Sequence, residues 1–203
     1  MNAKHSIAHG ISVVFHPLIM PTLAFLFLMN SGFYFTLLSF DAKKIILLIV
    51  FLSTFLLPLV SIGLMGLNTR FKPDLNKGPD RVIPMLSTAI FYYVGFYALG
   101  RLNVYPVYKV FLISSILIIV VLMIISMRWK ISAHMAGIGG LIGAFIALSL
   151  RLGLNSSLAL SVFIGIAGLI GSSRLILGKH TSVQIYAGFL TGFGVNYLII
   201  NYI

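Results

Sequence analysis

Ser173-Arg174-Leu175-Ile176-Leu177-Gly178-Lys179-His180-Thr181-Ser182-Val183-Gln184 sets a serine, an arginine, a histidine and an amide between two long apolar runs. A short interfacial loop whose cations meet lipid headgroups would account for this stretch taken alone. A second histidine-bearing stretch, Ser132-Ala133-His134, asks for more, because the span pattern puts both on one side of a membrane.

Composition decides the class. The chain has 203 residues, 60% of them hydrophobic and only 8% charged, far from the make-up of a soluble domain. A bilayer core about 30 Å thick takes roughly 20 apolar residues per helix, so this length fits about six to seven spans. The expected fold is an all-α, polytopic transmembrane bundle forming one integral membrane domain over residues 1–203. Cysteine is absent, which excludes disulfides and thiolate chemistry. The acids are Asp41, Asp74 and Asp80 alone. That scarcity argues against a carboxylate-held metal or a carboxylate proton relay, and no cofactor is expected. The net charge of +11 comes from 14 Lys and Arg. Such cations suit anionic headgroups, whereas nucleic acid would need a soluble basic surface that this chain does not offer.

Seven apolar segments can be read, at about residues 11–36, 45–66, 82–99, 107–127, 132–150, 156–172 and 183–201. The first is about 25 residues, too long for a signal-peptide core, and is expected to be retained. Pro17 and Pro21 should kink it or delay its regular helix. His16 is expected to bond to backbone or to lie at the interface rather than to be catalytic. Because successive spans alternate direction, residues 68–81, 128–134 and 173–184 must open on one face. Small residues recur at three- and four-residue spacing through Gly137–Gly143, Gly165–Gly171 and Gly188–Gly194. This pattern lets helix backbones approach in lipid, and should pack the last three spans into a tight bundle holding His134, Arg174 and His180 together.

Collected on that face are Lys77, Arg81, Ser132, His134, Arg174 and His180. Guanidinium and ammonium groups bind tetrahedral oxyanions. A pair of imidazoles beside them suits covalent phosphoryl transfer, one attacking phosphorus and the other protonating the leaving oxygen.

Ser173-Arg174, five residues, then His180 resembles the third signature of the type 2 phosphatidic acid phosphatase superfamily. Ser132-Ala133-His134 is similar to its second, Pro-Ser-Gly-His, and Lys77 to Arg81 with Pro84 beyond resembles a shortened first. The resemblance covers about residues 70–195 and leaves out the first span. It implies a membrane phosphatase acting without metal on a lipid phosphate or pyrophosphate of polyprenyl, phosphatidyl or lipid A type. Lys77, Arg81, Ser132 and Arg174 would then bind phosphate, with Lys72 an alternative to Lys77. His180 would be the nucleophile, His134 the acid for the leaving group, and Gln184 the support of His180. It further implies a bacterial inner membrane with an extracytoplasmic site, the partners being a phosphorylated lipid and the bilayer.

This chain departs from the signatures at several points. Ile131 and Ala133 replace the proline and glycine of the second, and Val82-Ile83 separates Arg81 from Pro84. Gln184 stands where an aspartate is expected to hold the nucleophile. A non-catalytic relative that binds or translocates a phosphorylated lipid, and a small transporter of another kind, therefore stay open. Charge does not fix the orientation. Nine basic residues fall on the motif face against Lys43, Lys44, Arg101, Lys109 and Arg151 opposite, which the positive-inside rule reads as a cytoplasmic motif face. Setting aside Lys77, Arg81 and Arg174 as ligands removes most of that excess.

Overall fold

A computed structural model describes residues 3–31, 37–67, 77–153 and 156–202. Among them the chain is all-helical, with seven helices long and apolar enough to cross a membrane. They are α1 (Ala3–Leu28), α2 (Phe40–Leu67), α3 (Pro79–Gly100), α4 (Pro106–Ser126), α5 (Ala133–Leu152), α6 (Ser157–Ile176) and α7 (Ser182–Tyr202). This is the architecture of an integral membrane protein. In lipid every backbone polar group must be satisfied within the chain, and helices do so segment by segment. Lys72 and Asp74 lie outside the described residues.

α1 is not continuous. Helix runs over Ala3–Val14, breaks at an extended His16 (φ −63°, ψ 139°), tightens into a turn over Pro17–Ile19 and resumes over Met20–Leu28. The prolines act as the sequence suggests, since each lacks an N–H and fixes φ. The starting point differs from the expectation. Helix begins at Ala3, not near residue 11, and takes in Lys4, His5 and His9. α2 contains a wider turn over Leu52–Leu56, where the Ser53 hydroxyl donates back to the Ile49 carbonyl at 2.7 Å. α6 runs to Ile176 and takes Ser173 and Arg174 into its last turns. A left-handed glycine, Gly178 at φ +61°, then turns the chain toward His180.

α5 is the central helix. In its most apolar window 67% is buried, against 28% for each of α6 and α7. The closest packing lies between α5 and α7, and glycines make it possible. A β-carbon on Gly192 would strike the Ala136 carbonyl, and one on Gly139 or Gly143 would strike the carbonyl of Phe189 or Phe193. The expectation for α6 is corrected. Gly165 and Gly168, like Gly194 on α7, face open space, so spacing alone does not make a glycine a packing residue. Beneath the site, Phe25 stacks on Tyr108 at 5.3 Å, and Phe145 meets Phe163 edge-on at 5.0 Å. These rings fill the interior toward the far membrane face.

Candidate functional site

A cavity of about 390 Å³ opens among α1 to α7, with His16, Arg81, His134, Arg174, Lys179 and His180 at its polar mouth. Its interior is lined by Leu59, Pro84, Met85, Phe111, Ile118 and Leu141, with Thr88, Ser115 and Asn196 as scattered polar groups. No carboxylate is among the described residues lining it. The size falls within the roughly 300–1,000 Å³ of small-molecule sites. Cations at the rim and hydrocarbon below match an amphiphile with an anionic head.

His180 reaches the mouth from the turn between α6 and α7 and is 8% exposed. Its Nδ1–H donates to Gln184 Oε1 at 3.0 Å, and the same oxygen accepts from the Thr181 N–H at 3.3 Å. The Thr181 N–H can only donate, which identifies that atom as the amide oxygen and makes Nδ1 the ring's donor. The ring is therefore held with its proton on Nδ1, leaving the Nε2 lone pair for another partner. Burial lowers the imidazole to about 4 from its ordinary 6.5; the bond to Gln184 opposes this, while Arg174, Arg81 and Lys130 push it further down. His180 is thus neutral near pH 7.

His134 stands at the first turn of α5. Its Nε2–H donates to the Ser12 backbone carbonyl at 3.1 Å, which leaves Nδ1 as its acceptor. Ser12 also accepts at its hydroxyl from Arg174 Nη1 at 3.1 Å. Arg174 Nε is buried without a hydrogen-bond partner, so this guanidinium holds a donor in reserve. Arg81 is tied across the mouth by Nη1 donating to the Ile131 carbonyl at 3.1 Å. The Ser132 N–H donates to the Gln184 carbonyl at 3.3 Å and locks the start of α5 to that of α7.

The fold brings Arg81, His134, Arg174 and His180 to one cavity, with Gln184 behind His180. It does not bring Ser132 or Lys77 to the lining. Ser132 is fully buried and caps α5, its hydroxyl accepting from the Met135 N–H at 3.5 Å. Lys77 is exposed, beside Gly78, where a β-carbon would strike the Ser126 carbonyl. Two lining residues, His16 and Lys179, and the Ser12 anchor are absent from the motif reading. Lys179 was legible in the stretch quoted first. Ser12 was not, because it contributes a backbone carbonyl and one hydroxyl in a helix with no motif. Comparisons with protein-family models, with curated proteins and with solved structures give no match to this chain.

Proposed function

We propose that this protein is a membrane phosphatase of the type 2 phosphatidic acid phosphatase kind, hydrolysing a lipid phosphate or pyrophosphate. The observation that carries the reading is His180: a neutral imidazole at a cationic mouth, Nδ1–H held by Gln184 and Nε2 unprotonated, above a cavity lined with hydrocarbon. In the reaction, Nε2 attacks phosphorus and the bond from phosphorus to the lipid oxygen breaks. Arg81, Arg174 and Lys179 carry the charge on the remaining phosphoryl oxygens. The leaving oxygen takes a proton from His134 Nδ1 after that nitrogen has first taken one up from solvent, the Ser12 carbonyl orienting the ring through Nε2–H throughout. His134 then removes a proton from the water that attacks phosphohistidine, releasing phosphate and restoring His180.

The lipid is of polyprenyl, phosphatidyl or lipid A type, and the setting is a bacterial inner membrane with the mouth on the extracytoplasmic side. The order of the three motif stretches supports the family assignment. A second reading, binding or translocation of a phosphorylated lipid without turnover, is favoured by one observation. Gln184 offers His180 no negative charge, so the imidazolium-like phospho-intermediate is less stabilised than a carboxylate would make it. Phosphate release from detergent-solubilised lipid phosphates, measured with a chelator present, separates the two. The phosphatase releases phosphate and His180→Ala does not. Lipid binding with no release by the wild type promotes the second reading.

A further inference from the structure

One histidine at the mouth has no role in the mechanism above. His16 lies in the break of α1 and caps the turn that follows, its Nδ1 accepting from the Leu18 N–H at 3.3 Å. An accepting Nδ1 bears no proton, so the neutral ring carries its hydrogen on Nε2. Protonating the ring would set Nδ1–H against the Leu18 N–H. The cap therefore holds His16 neutral and in one tautomer, unsuited to give up a proton but ready to donate a hydrogen bond. The ring lines the cavity with Arg174 and His180. Its centroid is 5.6 Å from that of His134, edge to face. Among the described residues no hydrogen bond is made by its Nε2.

We propose that His16 is a phosphate-binding residue whose Nε2–H donates to a non-bridging oxygen of the phosphoryl group. The inference rests on the phosphatase reading for the identity of the bound group, and extends the site to the span that the motifs leave out. His16 is poised like an oxyanion-hole donor: its bond strengthens as charge grows on the phosphoryl oxygens, and no reorganisation is needed at that moment. α1 then serves the site three times, through His16 on the phosphate, the Ser12 carbonyl on His134 and the Ser12 hydroxyl on Arg174.

His16→Asn is the discriminating variant. Asparagine is a good cap acceptor, so the turn at Pro17 survives while the distal N–H is lost. With the thermal midpoint unchanged, kcat for phosphate release from a solubilised lipid phosphate should fall about 10²–10³-fold, and KM should move far less. His16→Gln, which returns an N–H at similar reach, should recover part of the loss. Wild-type kcat in His16→Asn overturns the proposal and leaves His16 as a cap alone. If the wild type releases no phosphate, the phosphatase reading has failed by itself, and titration with inorganic pyrophosphate decides the question. Binding about tenfold weaker in His16→Asn supports the donor, and equal affinity overturns it.

Discussion

His134 and His180 are held at the mouth by different means. His180 is tied to Gln184, four residues along its own chain, by a side-chain amide. His134 is tied to the Ser12 carbonyl, 122 residues away, by backbone. The first support is local and chemical, so a single side-chain change can retune it. The second is long-range and purely geometric, so it holds only while α1 stays docked. A nucleophile gains from the first kind, because the strength of its partner sets its electronics. A group that passes protons to and from a leaving oxygen gains from the second, because a neutral carbonyl orients the ring without fixing its charge.

The comparison breaks most completely where α5, which carries His134, touches α7, which His180 precedes. Gly192→Ala would drive a methyl group into the Ala136 carbonyl, and backbone cannot yield as a flexible side chain can. We expect a loss of about 1–3 kcal/mol, as for overpacked cores, seen as a lower thermal midpoint in detergent together with lost phosphate release. Gly194→Ala, on the same helix but facing open space, should leave the midpoint unchanged or slightly raised, alanine being the better helix former. Equal behaviour of the two variants would refute the account of α5–α7 packing.

A smaller effect sharpens the His180 side. Gln184→Glu preserves length and both acceptor contacts and adds the missing charge. Turnover should rise roughly tenfold, since a carboxylate stabilises the imidazolium-like intermediate. The pH profile gives an independent reading. With His180 lowered to about 4, the unprotonated nucleophile persists as pH falls through 6.5, so activity should decline only on approach to about pH 4. In Gln184→Glu the imidazole gains a negative partner, its pKa rises, and the acid limb moves to higher pH. An acid limb near 6.5 in the wild type would contradict the buried, neutral His180.

The smallest expected difference concerns the cations. Lys179→Ala removes a residue of the mouth and should raise KM several-fold, about the value of one charged contact. Lys77→Ala removes an exposed side chain outside the lining and should change KM little. The reverse ranking would put Lys77, and not Lys179, among the phosphate-binding cations.

Much of this site was legible because its signals are local. Composition required a membrane bundle, and alternation of spans put three polar stretches on one face. Arginine and histidine in apolar surroundings marked Arg81, His134, Arg174 and His180, all of which line one cavity. Ser132 lies off the lining, and its place was not legible because a serine just before a helix fits a ligand and a cap equally; its hydroxyl accepts from the Met135 N–H. Gly165 and Gly168 of α6 misled for a related reason: a small residue permits close approach without supplying a partner. α1 was unreadable as part of the site, since a backbone carbonyl leaves no mark in the sequence. His16 was rightly expected to bond to backbone, yet that same bond fixes the tautomer that gives it a second use.

The central claim is that phosphorus becomes covalently bound to His180. Wild-type protein mixed with a lipid carrying radiolabelled phosphate, quenched in alkali and mapped by peptide mass spectrometry, tests it directly. The account predicts label on the peptide containing His180, alkali-stable and acid-labile as phosphohistidine is, and absent in His180→Ala. Phosphate release by the wild type that survives in His180→Ala, or label on another residue, would contradict it.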